Sequence, residues 1–126
     1  MNENRFYICE HCGNIVGLIH DAGVPLMCCG QKMKQITPGT VDASKEKHIP
    51  VVEVENDTVK VTVGSVSHPM EEAHSIVWVY LQTDSGGPRK CLKVGGKPEV
   101  YFALKDEKPI AVYAYCNLHG MWMTEI

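Results

Sequence analysis

Cys116-Asn117-Leu118-His119-Gly120-Met121-Trp122-Met123-Thr124-Glu125-Ile126 follows directly on the apolar run Ile110-Ala111-Val112-Tyr113-Ala114-Tyr115. The run reads as a strand. Cys116-x-x-His119 at its end puts a thiolate and an imidazole at the spacing of a two-ligand metal claw. Two ligands do not complete a metal site, so the rest must come from upstream. His48, His68 and His74 are the available imidazoles. A fold that joins them to the claw has to gather distant turns around one point, taken here as a single iron.

Working outward from the claw, the chain from Glu46 onward is patterned as β-structure. Ile49-Pro50-Val51-Val52-Glu53-Val54-Glu55 turns at Asn56-Asp57 into Thr58-Val59-Lys60-Val61-Thr62-Val63. That hairpin has its valines on one face and Lys60 and Thr62 on the other. Ser75-Ile76-Val77-Trp78-Val79-Tyr80-Leu81 is apolar on both faces, which suits a central strand. Gly86-Gly87-Pro88 is a turn, Cys91-Leu92-Lys93-Val94 a short strand before Gly95-Gly96, and Val100-Tyr101-Phe102-Ala103-Leu104 another. Six or seven short strands with frequent turns predict an antiparallel β-sandwich of immunoglobulin-like proportions. No useful helical period is present. Trp78, Tyr113 and Tyr115 read as packing residues, and Cys91 as a buried, inert thiol.

Residues 38–45, Pro38-Gly39-Thr40-Val41-Asp42-Ala43-Ser44-Lys45, are turn-formers and small residues and read as a linker. Residues 1–37 then form a small domain of their own, and residues 46–126 the larger one. In the small domain, Arg5-Phe6-Tyr7-Ile8-Cys9 and Asn14-Ile15-Val16-Gly17-Leu18-Ile19-His20 read as strands, and Leu26-Met27-Cys28-Cys29-Gly30 closes the unit. So short a piece cannot bury enough apolar surface without a staple, and metal binding supplies one. Cys9-x-x-Cys12-Gly13 is a thiolate knuckle. Together with Cys28 and Cys29 it makes a four-thiolate set for tetrahedral zinc or iron. A zinc ribbon is the plainer alternative, but ribbons repeat Cys-x-x-Cys in their second half and this chain has an adjacent pair. Spacing alone leaves iron and zinc equally open. His11 and His20 read as surface residues.

Composition limits the alternatives. The chain has 126 residues, is 44% hydrophobic and carries a formal net charge of −3. Neither a nucleic-acid footprint nor a membrane-surface footprint is visible in that charge. The polar start Met1-Asn2-Glu3-Asn4-Arg5 is not followed by an apolar signal segment, so the expected location is the cytoplasm. Six cysteines there are more readily ligands or thiols than disulfides. Four imidazoles with one thiolate suit iron or copper, because zinc prefers four ligands. Blue copper, with Met121 or Met123 as its axial ligand, is the rival on a β-sandwich. It leaves the extra histidines and the thiolate knuckle unexplained. Two readings remain beside a redox enzyme: a closed electron carrier, and a zinc-stapled binding module.

Cys9-x-x-Cys12 with Cys28-Cys29, then Glu46-Lys47-His48-x-Pro50, then His68-Pro69-Met70-Glu71-Glu72-x-His74, then Cys116-Asn117-x-His119-Gly120 resembles desulfoferrodoxin, the two-iron class of superoxide reductase. The resemblance implies a mainly β chain. A small rubredoxin-like or desulforedoxin-like FeCys4 domain precedes an immunoglobulin-like antiparallel β-sandwich that is catalytic. It implies two iron ions. Cys9, Cys12, Cys28 and Cys29 hold the first, with zinc as the substitute there. His48, His68, His74 and His119 surround the second in one plane, with Cys116 axial and the opposite position open in the ferrous state. Glu46 closes that position in the resting ferric form, and Lys47 attracts superoxide and helps to deliver a proton. The implied reaction is one-electron reduction of superoxide to hydrogen peroxide, with the electron replaced by a rubredoxin-like donor. A homodimer is the implied assembly, with neither nucleic acid nor membrane as partner.

Overall fold

The computed structural model describes residues 5–126. Met1, Asn2, Glu3 and Asn4, with which the expected first domain begins, lie outside the described residues. The chain divides into two compact units, Met1–Thr37 and Pro38–Ile126.

In the first unit, β1 (Arg5–Ile8) is the middle strand of a three-stranded sheet. It lies between β2 (Ile15–Leu18) and, later in the chain, β5 (Lys34–Ile36). A second, two-stranded piece pairs β3 (Met27–Cys28) with β4 (Gln31–Lys32). The sequence pattern predicts only the first two strands, because strands of two or three residues are too short to show alternation. Cys29 and Gly30 are the two loop residues of the β3–β4 hairpin, with φ of 53° and 71°. Positive φ at both positions is what a tight two-residue hairpin needs to match strand twist. The adjacent cysteine pair is therefore a strand end followed by a turn residue. Apolar burial here is slight: Phe6, Cys9 and Met33 are the buried hydrophobic residues among those described.

The second unit opens with one helical turn, α1 (Lys45–His48), and continues with β6 (Pro50–Glu55), β7 (Thr58–Val63), β8 (Ile76–Thr83), β9 (Arg89–Cys91), β10 (Glu99–Ala103), β11 (Pro109–Cys116) and β12 (Gly120–Glu125). These strands form two antiparallel sheets, ordered β10-β7-β6 and β12-β11-β8-β9. The predicted hairpin is present, with Val52 opposite Val61 and Val54 opposite Val59. Asn56, at φ 52°, takes the left-handed position of its turn. Val59, Val61 and Val63 face inward onto Val79, Leu81, Phe102, Val112 and Ala114. The sandwich core thus comes from alternate residues of both sheets, which is how period-two patterning makes a two-layer structure.

Three expectations change. The strand expected over Cys91–Val94 is found at Arg89–Cys91, pairing Tyr80 with Arg89 and Trp78 with Cys91. Cys91 is exposed, not buried, because β9 is an edge strand with β8 on one side only. The segment expected as a linker groups with the second unit: Gly39 N–H donates to Met121 O at 2.9 Å, and Lys45 begins α1. Trp78 and Tyr113 are buried and Tyr115 is half-buried, as packing residues should be.

Candidate metal centres

Five donors meet in the second unit, each brought by a different local device. His48 ends α1, and that turn is held against the chain leaving β7: Val66 N–H donates to Glu46 O at 3.0 Å and Gly64 N–H to Ile49 O at 3.3 Å. Gly64 has φ 86°, and a Cβ there would lie 2.7 Å from Lys47 O and 2.8 Å from Glu46 O. Only glycine allows this approach. His68 and His74 bracket the next loop, which is closed by a Glu71–His74 bridge of 2.9 and 3.1 Å. Cys116 ends β11, and His119 lies in the turn before Gly120, whose φ is 75°.

The four imidazoles form a near-square. Ring centroids are 4.7 Å apart for His48–His68, 4.7 Å for His68–His74, 5.1 Å for His74–His119 and 4.9 Å for His119–His48. The His48–His74 diagonal is 6.4 Å, so these two are opposite each other. Neighbouring rings are tilted by 75 to 86°. The donor atoms of His48, His68, His74 and Cys116 all lie within 4.8 Å of one another. His119 joins them through Nδ1, which is 3.1 Å from His48 Nε2 and 3.9 Å from Cys116 Sγ.

The protonation pattern tests whether a cation fits. His48 Nδ1–H donates to Ser44 O at 2.6 Å, and His68 Nδ1–H donates to Pro69 O at 2.7 Å. Those bonds fix the tautomers and leave both Nε2 atoms as bare lone pairs. The two Nε2 atoms nevertheless face each other at 3.1 Å with no proton to share. His74 Nε2 is buried with no hydrogen-bond partner. A buried unpaired acceptor is costly, and lone pairs converging on one point are a site for a metal ion. Nitrogens bound at right angles to one metal, at about 2.1 Å each, lie about 3 Å apart. Burial lowers the His48 pKa and holds that of His68 down at about 4, so both stay neutral, the form that ligates.

The first unit brings together Cys9, Cys12, Cys28 and Cys29, with all four sulfurs within 4.8 Å of one another and no disulfide among them. Cys12 and Cys28 sulfurs are 3.6 Å apart, and Cys28 and Cys29 sulfurs 4.0 Å. A tetrahedral ion with sulfur bonds of about 2.3 Å has sulfurs about 3.8 Å apart. The backbone N–H of Cys12 holds the Cys9 thiol down at about 6, while the neighbouring Cys12 sulfur first, then burial, pushes Cys29 up to about 12. Four thiolates this close cannot all ionise without a cation between them.

Comparison with known proteins decides the family. The desulfoferrodoxin family model matches residues 40–125, and that of the desulfoferrodoxin N-terminal domain matches residues 1–36. The chain belongs to the desulfoferrodoxin family. It is 50% identical over 124 residues to the desulfoferrodoxin of Nitratidesulfovibrio vulgaris, covering 98% of each chain. The crystal structure of the superoxide reductase from Treponema pallidum matches with a TM-score of 0.83 at 45% identity, over 98% of this chain and 100% of that one. A superoxide reductase from Giardia intestinalis, titled a one-iron form, matches with a TM-score of 0.56 at 32% identity, over 65% of this chain and 98% of its own. With both donor sets present, this desulfoferrodoxin is built for two iron centres, one of four thiolates and one of four imidazoles and a thiolate.

Glu46 and Lys47 are exposed on α1, immediately before the buried His48. The Glu46 carboxylate accepts from Ser44 Oγ at 3.4 Å. His11 and His20 are exposed, as expected of residues outside the donor sets. Two residues beside the donors of this desulfoferrodoxin carry no signal in the sequence. Trp122 stacks on His48 at 5.2 Å and donates Nε1–H to His119 O at 3.0 Å. Asn14 Nδ2 lies 3.7 Å from Cys28 Sγ. Trp122 sits three residues beyond His119, but nothing in the sequence distinguishes it from an ordinary core aromatic.

Proposed function

We infer that this desulfoferrodoxin is a superoxide reductase, an oxidoreductase that reduces superoxide by one electron to hydrogen peroxide at a non-haem iron. The observation that carries this is the near-square of four imidazoles with the buried Cys116 sulfur beside it. His48, His68, His74, His119 and Cys116 would hold the iron of this centre. Cys9, Cys12, Cys28 and Cys29 hold the other iron, with zinc as the substitute there. Iron at the imidazole site supplies the electron and one position at which a small anion binds. Lys47 is the cation that attracts superoxide to a chain whose net charge is −3. Its ammonium also holds the water that passes on a proton, and two protons are consumed per superoxide. Glu46, on the same helical turn, would supply a carboxylate to the anion-binding position in the resting oxidised protein. The Cys116 thiolate would donate electron density to iron held there, which would favour release of hydrogen peroxide over cleavage of its O–O bond.

The electron is replaced by an external rubredoxin-like donor, and the four-thiolate centre either relays it or staples its domain. The assembly is a homodimer. In support, Ile19, Val24 and Met27 in the first unit are 98%, 73% and 62% exposed, an apolar surface that a second copy would cover. The cytoplasm is the location, which suits six free thiols. Among the described residues no helix is long and apolar enough to cross a membrane.

A pulse of superoxide delivered to reduced, iron-loaded protein tests the function. One oxidised centre and one hydrogen peroxide per superoxide, with no oxygen from the reductive step, is the expected result. Protein that takes up only zinc in iron-replete cells overturns it. Lys47→Ala should slow the second-order reaction about tenfold at low salt and flatten its salt dependence. An unchanged rate removes Lys47 from the mechanism.

A further inference from the structure

The four imidazoles are not held alike. His48 and His68 are each fixed by a ring N–H bonded to a backbone carbonyl, at 2.6 and 2.7 Å. Trp122 braces His48 by stacking and the His119 backbone by a hydrogen bond. The visible restraints on His74 are on the backbone instead: its own N–H and C=O bridge to Glu71, and one side chain holds the residues on either side of it. Asn117 Oδ1 accepts from Ser75 N–H at 3.0 Å, and Asn117 Nδ2 donates to Ala73 O at 3.0 Å. The Asn117 backbone N–H donates to Ser75 O at 3.2 Å. Ala73 and Ser75 flank His74, so one amide grips both sides of that residue. The amide fits because it offers a donor and an acceptor together, which neither a carboxylate nor a hydroxyl does in this geometry.

We propose that Asn117 is the positioning residue of the imidazole centre, clamping the His74 loop to the end of β11 and so fixing the His74 ring relative to Cys116. Asn117 follows Cys116 directly, so the clamp couples the thiolate to one corner of the square. His74 needs it most, because its buried Nε2 has no hydrogen-bond partner to hold the ring. Residues that orient a metal ligand without touching the metal commonly change metal affinity by about 10–100-fold. The proposal rests on His74 being an iron ligand.

The test uses protein loaded with both irons, reduced, and mixed with a ferrous chelator, the four-thiolate centre serving as internal control. Asn117→Ala should speed iron release from the imidazole centre about 10–100-fold. It should also shift that centre's thiolate-to-iron charge-transfer band and leave the control rate unchanged. Asn117→Asp keeps the acceptor for Ser75 and loses the donor to Ala73, so it should fall between. If the alanine variant does not fold, the aspartate variant carries the same test. His74→Ala alone should also speed release, and adding Asn117→Ala to it should then change little, because no ring remains to be placed. Iron release and band unchanged in the Asn117 variants overturn the clamp. Additive effects in the double variant also overturn it, since they mean that Asn117 acts other than through His74. Unchanged release in His74→Ala overturns instead the assignment of His74 as a ligand.

Discussion

Trp122 touches two corners of the imidazole square at once, through its face on His48 and its N–H on the His119 carbonyl. Trp122→Phe keeps most of the face and removes the donor. The loss should be about 1 kcal/mol, the usual worth of one such bond. Trp122→Ala also opens a void at a buried position and should cost about 3–5 kcal/mol. Urea midpoints read both, and equal losses in the two variants would refute this division of roles. His68 makes a pH prediction. Its folded pKa, held at about 4 by burial, is below the free imidazole value of about 6.5. The folded state therefore favours the neutral ring, and its contribution is complete above about pH 6.5 and is lost as pH falls toward 4. His48 is shifted in the same direction. Metal-free protein should lose up to about 1.4 kcal/mol per pH unit through His68 across that window, with His48 acting in the same direction, and His68→Asn should lose less. Parallel curves for the two proteins would show that His68 is not responsible.

At the scale of the element, the position of His48 depends on the close approach of α1 to the chain after β7. A Cβ on Gly64 would meet Val66 O at 2.3 Å, and the glycine φ of 86° is unfavourable for any side chain. Gly64→Ala should therefore cost about 1–3 kcal/mol and move His48. It should weaken the imidazole centre and leave the four-thiolate centre alone, as metal content and the visible spectrum would report. Retention of both irons with an unshifted spectrum would mean that α1 tolerates the side chain. The sequence carried some of this and hid the rest, for physical reasons. Alternating valines and the Asn56-Asp57 turn marked β6 and β7 because a half-buried hairpin repeats every two residues. The five donors were readable because ligand chemistry restricts residue type. The α1 turn was invisible because four residues are too few to show a helical period. The β9 strand was displaced, and Cys91 misjudged, because an edge strand is not obliged to bury either face. Asn117 stood inside a motif with no role assigned, since its work is done on residues 73 and 75, far away in sequence.

At the scale of the whole chain, the two units are stabilised by different means. The second has a continuous apolar core from Val59 to Cys116. The first has only Phe6, Cys9 and Met33 buried among its described apolar residues, and Cys9 is itself a metal donor. Such a unit cannot offset the entropy of ordering its chain by apolar burial. Structural metal sites contribute about 10 kcal/mol or more of apparent binding free energy near neutral pH. Cys29 makes the same point from the other side, because the Cys12 sulfur beside it, then burial, pushes its thiol up to about 12, and a cation would favour the thiolate instead. All five donors of the imidazole centre lie between His48 and His119, so none is lost with the first unit. Cys12→Ser should therefore remove one iron of two and the resolved amide signals of residues 5–37, while the thiolate-to-iron band of the other centre stays in place. If superoxide reduction also survives at full rate with an artificial reductant but fails with a protein donor, the four-thiolate iron is a relay. If it survives with both, that iron is a staple. A first unit that stays folded after metal removal would contradict the argument from burial.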